Sequence, residues 1–234
     1  MNWLSALFSH KPQLDPDLEA RLAAWKALPA IGRNANLASD RFVVVDVETS
    51  GLILAKDRLI AIGAVAVRAG KIDIGDSFEV ILQQETASNK DNILIHGIGG
   101  SAQMGGMPPQ EALLAFLEYL GKSPLVAFHV VFDETMIRRA LQQFIGINFK
   151  HDWLDLAYAV PALNPELSKK YRSLDHWQGH FHIQNYARHN ALADALSTAQ
   201  LFLIAMEQGR RHRLTHFKGL VDLEKAQRWV NWEG

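Results

Sequence analysis

The stretch Phe42–Leu52, FVVVDVETSGL, constrains this chain more than any other. Its β-branched run Phe42-Val43-Val44-Val45 reads as a strand buried on both faces. The run leads into two carboxylates, Asp46 and Glu48, at i and i+2, so in a strand both project from one face. Two acids at the end of an apolar strand are costly unless something offsets their charge. A divalent cation held by hard oxygen ligands would do so. The plainer alternative is a strand that ends in a polar turn at Ser50-Gly51.

From Arg41 onward the pattern is α/β. Leu59–Val67 forms a second buried strand, Ala69-Gly70-Lys71 a tight turn, and Ile72–Leu82 a third strand paired as a hairpin. A loop with Ile95-His96-Gly97-Ile98 follows, and then a segment that Gly99, Gly100, Gly105 and Gly106 should make flexible. Pro108-Pro109 opens a helix running to about Leu120, Leu125–Phe128 is a short strand, and Asp133–Phe144 is a helix. A fifth strand is expected over Asp152–Asp155. Helices are expected over Leu156–Leu163, Ser173–Gly179 and Asn190–Met206. Three strands followed by helices alternating with two short strands predict a mixed sheet.

Residues 1–40 and 207–234 flank this pattern. Asp15-Pro16-Asp17 starts a helix with Leu18, Leu22, Trp25 and Leu28 on one stripe, which predicts an N-terminal helical extension packed on the main domain. The tail from Gln208 carries Arg210, Arg211, Arg213 and Lys218 and reads as a solvated helix end and a C-terminal helix. Either flank could dock a protein partner or touch nucleic acid.

Composition narrows the chemistry. With no cysteine among 234 residues, disulfides, zinc–thiolate centres and cysteine nucleophiles are excluded. A net charge of -1 makes the chain no polycation, so nucleic acid would be bound through a local patch or through metal ions. The start MNWLSALFSHKP lacks a basic n-region, and no run approaches the ~20 apolar residues of a membrane span. The expectation is a soluble cytoplasmic protein.

Two more acids complete a set. Asp133 stands at a helix start, where free backbone N–H groups stabilise a carboxylate. Asp194 lies in an apolar helix, where an Asp is usually solvent-facing. His189 stands five residues before Asp194. Asp46, Glu48, Asp133 and Asp194 with His189 are the parts of a two-metal phosphoryl hydrolase: four carboxylates hold two cations, and a neutral His takes the proton of the attacking water. Oxygen ligands favour Mg²⁺ or Mn²⁺. His176, His180 and His182 also cluster, two of them at i, i+4, a spacing that can bind zinc. No acid or cysteine completes a signature there, and a polar helix end is the preferred account.

DVETSGL, then HGI at His96–Ile98, VAFHVVFD at Val126–Asp133 and HNALAD at His189–Asp194 resemble the ordered motifs of the DnaQ-like 3′–5′ exonucleases, in the DEDDh branch. The resemblance covers about Arg41–Met206, which would be the exonuclease domain, 41–206. It implies an RNase H-like fold with a mixed five-stranded sheet flanked by helices, its first three strands antiparallel. It further implies two Mg²⁺ or Mn²⁺ ions and release of nucleoside monophosphates from the 3′ end of single-stranded DNA or RNA. On this likeness Asp46, Glu48, Asp133 and Asp194 are metal ligands and His189 is the general base. Val47, Thr49, Leu52, His96 and His129 would lie along the substrate, with Leu52 wedged against the terminal bases. Two positions depart from the family pattern: Phe128-His129 stands for His-Asn, and Ala61-Ile62-Gly63 for Glu-Ile-Gly. The polymerase-binding tail of the proofreading subunits is not recognisable. The competing function class is a non-catalytic nucleic-acid-binding or interaction module on the same fold, which has no need to keep all five residues.

Overall fold

The computed structural model describes residues 12–232. The first eleven residues of the N-terminal extension lie outside them. Five strands form one sheet: β1 (Arg41–Thr49), β2 (Leu59–Arg68), β3 (Lys71–Ile81), β4 (Leu125–Ala127) and β5 (Trp153–Asp155), in the order β3-β2-β1-β4-β5. β1 is central, antiparallel to β2 and parallel to β4, while β2–β3 is an antiparallel hairpin and β4–β5 a parallel pair. This is the mixed sheet of the RNase H-like fold. The hairpin turns through Ala69 and Gly70, both at positive φ (51° and 69°), a pair that suits the twist of the strands it joins.

Alternation along β1 sends its side chains to two cores. Val43, Val45 and Val47 face a cluster closed by α1 (Pro16–Ala27), α4 (Pro109–Leu120) and α5 (Val130–Phe144). Phe42 and Val44 face a second cluster closed by α6 (Leu156–Leu163), α8 (Ala191–Arg211) and α9 (Phe217–Trp232). By the same alternation Asp46 and Glu48 project on the α8 side.

Both flanks enter these cores. In α1, capped by Asp15, the side chains of Leu18, Leu22 and Trp25 are buried, and the Trp25 indole donates to the Gly121 carbonyl at 2.8 Å. Arg21 adds ion pairs to Glu111 and Glu118 of α4 at 2.9 and 2.8 Å. The C-terminal segment has the expected exposed helix end and C-terminal helix, and that helix is also packed into the core. α8 continues past Met206 to Arg211, and α9 buries Phe217, Leu220 and Val221, with the Phe217 ring 5.5 Å from that of Phe42. Arg210, Arg211, Arg213 and Lys218 are exposed, and the apolar stripe of α9 was the stronger signal.

The glycine-rich stretch also differs from the expected flexible loop. The loop before it forms α2 (Lys90–His96), ended by Gly97 in the left-handed conformation, and the stretch itself forms α3 (Gly100–Met104). Gln103 is fully buried and donates to Ser88 Oγ and the Ile98 carbonyl at 3.0 and 2.8 Å. Gly106 lies so close to β3 that a Cβ there would meet the Ile81 carbonyl oxygen at 2.6 Å. Gly106 therefore serves close packing. α7 (Leu174–His180) completes the fold. Among the described residues no helix is long and apolar enough to cross a membrane.

Candidate active site

The acids meet where the carboxyl end of β1 passes under the first turn of α8. Asp46 pairs with Gly63 of β2 across the ladder, and Glu48 with Ala61. Gly63 makes this possible: a Cβ there would lie 2.2 Å from both the carbonyl carbon of Ala191 and the amide nitrogen of Leu192. With hydrogen at that position α8 lies flat on the sheet, and Asp194, three residues after Ala191, drops beside Asp46. Asn190 caps α8 by accepting the Ala193 N–H at 2.9 Å. Asp194, assigned to the metal site although an Asp on an ordinary helix is usually solvent-facing, is 2 % exposed.

Asp46, Glu48 and Asp194 each offer a carboxylate oxygen, all within 4.8 Å of one another. Among the described residues they are the only group of three or more His, Cys, Asp or Glu so arranged. Burial, aided by the charges of Asp133, Asp194 and Glu48, holds the Asp46 carboxyl well above its ordinary range. Burial and Asp194 push Glu48 up to about 8. Acids this reluctant to ionise together fit a cation: oxygen donors converge, and a positive charge among them would remove the repulsion.

Asp133 comes from the opposite face. α5 begins at Val130, earlier than expected, which puts Asp133 in its first turn. The helix packs on the Val43/Val45/Val47 side, and Asp133 stands outside the group of three. It is 5 % exposed, and its charge raises Asp46. Burial raises Asp133 itself, opposed by hydrogen bonds from its own N–H and from that of Val47.

His189 has φ 63° and donates its backbone N–H to Asp194 Oδ2 at 3.0 Å. Its side chain is exposed. Arg188 and Asn185, which the sequence reading missed, also serve Asp194. Arg188 Nη1 donates to Asp194 Oδ2 at 2.6 Å and its Nε to Asp175 Oδ1 at 2.8 Å. Asn185 Nδ2 donates to Asp194 Oδ1. The guanidinium also opposes the rise of Asp46 and Glu48, so it is the resident counter-charge of the acid cluster. Its place beside His189 was the only sequence cue; Asn185 offered none.

The remaining expected contacts surround the acids unevenly. Leu52 is 85 % exposed on a loop held by Asp57, which accepts from Ser50 Oγ and the Ile53 N–H at 2.9 and 2.7 Å. Thr49 is buried, and its Oγ1 donates to the Gly51 carbonyl at 2.7 Å. Val47 turns its side chain into the core and offers only backbone to the site. His96 is buried, and its Nδ1 accepts the Ile98 N–H at 3.0 Å. Burial, and then the charge of His189, lowers its pKa. His129 is exposed at the N-terminus of α5, with φ 68°. His176 and His180 pack around Tyr171, with ring centroids at 6.3 and 5.1 Å, and the trio with His182 is not a metal group among the described residues.

The chain is similar to known proteins in sequence and in fold. The exonuclease family model RNase_T matches residues 43–202. The epsilon subunit of DNA polymerase III from Aquifex aeolicus is 29 % identical over 193 residues, 82 % of this chain and 94 % of that protein. A PolC-type DNA polymerase III from Thermotoga maritima is 28 % identical over 82 % of this chain, which spans only 13 % of the polymerase. Among solved structures, Escherichia coli exonuclease I in complex with a dT13 oligonucleotide superposes with a TM-score of 0.62 at 18 % identity, covering 74 % of this chain and 42 % of that one. The cell-death related nuclease 4 gives 0.64 at 15 % identity, over 74 % of this chain and 65 % of that one. These two likenesses speak for the fold; with the family match and the acids at the end of β1, the chain belongs to the exonuclease family, among the DnaQ-like 3′–5′ exonucleases.

Proposed function

We propose that this exonuclease is of the DEDDh type and removes nucleoside monophosphates from the 3′ end of single-stranded DNA or RNA, using divalent cations. The observation that carries the reading is the convergence of Asp46, Glu48 and Asp194 oxygens within 4.8 Å, with Asp133 electrostatically joined to them. These four carboxylates would hold Mg²⁺ or Mn²⁺, since every donor is a hard oxygen. Bound there, two cations supply polarisation of the scissile phosphate and neutralise charge developing on the leaving oxygen.

The chain's own residues do the rest. His189 takes the proton of the attacking water at a ring nitrogen. Its backbone N–H is committed to Asp194, and among the described residues its imidazole makes no hydrogen bond, so the ring is free to turn to a water. The water oxygen bonds to phosphorus, the P–O3′ bond breaks, the O3′ left on the shortened strand takes a proton from solvent, and a 5′-phosphorylated mononucleotide leaves. Leu52, the most exposed large aliphatic beside the site, packs against the terminal bases and favours single strands or frayed ends. The oligonucleotide bound by exonuclease I supports a single-stranded substrate. A polymerase-like partner, suggested by the epsilon and PolC relatives, would meet Leu28 and Ile31 or Trp229 and Val230, apolar side chains exposed on the two flanks, and the working place would be the cytoplasm.

Two single variants test this reading. His189→Ala should keep Mn²⁺ affinity near that of the wild type and lower single-turnover release by a factor on the order of 10²–10⁴. Asp46→Ala should lose both binding and cleavage. Wild-type cleavage by His189→Ala would remove His189 as the base.

A further inference from the structure

α5 brings Asp133 to the site, yet no side chain at its own N-cap, His129, caps it. Its first N–H groups are satisfied from another element. The N–H of His129 donates to Asp155 Oδ1 at 2.9 Å and that of Val130 to Asp155 Oδ2 at 3.1 Å. Asp155 ends β5, is 1 % exposed, and caps α6 as well by accepting the Ala157 N–H at 3.0 Å. One buried carboxylate thus holds the starts of two helices.

A carboxylate this deep is costly unless its charge is offset. The offset comes from α9. Arg228 Nη2 donates to Asp155 Oδ2 at 2.9 Å, and its Nε donates to Glu224 Oε1 at 2.8 Å. Glu224 Oε2 in turn accepts the backbone N–H of Asp155 at 3.0 Å. The guanidinium lies 4.1 Å from the centre of the Tyr158 ring, which fixes its plane. Three elements far apart in sequence are locked at one carboxylate, one turn before Asp133.

We propose that Arg228 is a positioning residue for the active site: by holding Asp155 from the C-terminal helix, it fixes the first turn of α5 so that Asp133 stays beside Asp46 and Glu48. The inference rests on the exonuclease reading for what the site binds. Without the guanidinium, Asp155 either takes up a proton, losing acceptor capacity, or draws in water; in both cases the His129 and Val130 N–H groups lose a firm partner. His129 then has nothing to keep its left-handed backbone, and Asp133 shifts with the turn.

The test uses full-length Arg228→Met and Arg228→Lys, titrated with Mn²⁺ by calorimetry without substrate, well below their melting temperatures. Arg228→Met should bind Mn²⁺ roughly 10- to 100-fold more weakly, the usual effect of removing a group that orients a ligand. Arg228→Lys should recover part of the loss. Trp25→Phe, which removes an indole hydrogen bond at a distant packing contact, serves as the control: it should lower the melting temperature and leave Mn²⁺ affinity unchanged. If Arg228→Met fails to fold, Glu224→Gln carries the test, because it loosens the Arg228 fork while keeping its shape; a smaller loss in the same direction is expected. Mn²⁺ affinity within twofold of the wild type in whichever variant carries the test would reduce Arg228 to a stability role and overturn the proposal. A wild-type protein that binds no Mn²⁺ would overturn the functional reading and this inference together, so the two failures are distinguishable.

Discussion

Gly63 and Ala191 approach so closely that a Cβ on Gly63 would sit 2.2 Å from the Ala191 carbonyl carbon. The contact is backbone against backbone, so no side chain can move aside. Gly63→Ala must lift the start of α8 from the sheet or bend β2, at a cost of about 1–3 kcal/mol or more. Because Asp194 lies in that turn and Asp46 opposite Gly63, the variant should lose Mn²⁺ affinity along with stability. Thermal unfolding and a Mn²⁺ titration check both; an unchanged melting temperature would mean that α8 is not seated as described.

Arg188 supplies the second prediction. In the metal-free protein its guanidinium shares Asp194 with Asn185 and the His189 N–H. Arg188→Ala leaves Asp194 among like charges. The metal-free protein should lose roughly 1 kcal/mol, a charged hydrogen bond discounted for the partial exposure of Arg188. Mn²⁺ affinity should rise, since a competing cation is gone. Opposite movement of melting temperature and Mn²⁺ affinity is the signature; a parallel fall would show that Arg188 supports the metal-loaded site instead.

The acids predict a pH dependence of definite sign. Glu48 is raised from 4.5 to about 8, and Asp46 is raised as well, so the folded chain holds protons that the unfolded chain has released. The stabilisation from Glu48 is fully present below 4.5 and is lost as pH rises through about 8. Metal-free protein should therefore lose melting temperature across that window. Cation binding requires the ionised acids, so the gain in melting temperature from Mn²⁺ should grow across the same window. Melting curves with and without Mn²⁺ measure both slopes; a Mn²⁺ effect that shrinks toward alkaline pH would contradict the assignment.

Much of this was legible beforehand because the informative signals were local. A buried strand ending in two acids, a hairpin with a two-residue turn and a helix start ahead of Asp194 each follow from adjacent residues. What escaped depends on contacts distant in sequence. The glycines at 105 and 106 look like flexibility in a linear reading, yet Gly106 is there for close packing against Ile81. The basic tail looks solvated until Phe217 is seen stacked on Phe42. Asn185 and Arg188 precede Asp194 by nine and six positions, on a segment without periodicity, so only the fold reveals that they share its carboxylate.

Leu52 offers a test of substrate form. It is 85 % exposed, so Leu52→Ala should change stability by less than ~0.5 kcal/mol. If the side chain packs on the terminal base, its loss should weaken binding of a short single strand about fivefold or more, in line with ~1–3 kcal/mol per stacked base. Removal of nucleotides from paired ends should suffer more than removal from single strands. Equal rates on both substrates in the variant and the wild type would leave Leu52 without that role.

The most direct measurement follows the polarity of digestion. Single-stranded oligonucleotides labelled at the 3′ or the 5′ end are incubated with the protein in Mg²⁺, in Mn²⁺ and in EDTA. With either cation the 3′ label should appear as mononucleotide from the first time point, while the 5′ label stays on a ladder shortening one nucleotide at a time; EDTA should stop both. Immediate release of the 5′ label as mononucleotide, or cleavage that proceeds unchanged in EDTA, would contradict a cation-dependent 3′–5′ exonuclease built on Asp46, Glu48, Asp133 and Asp194.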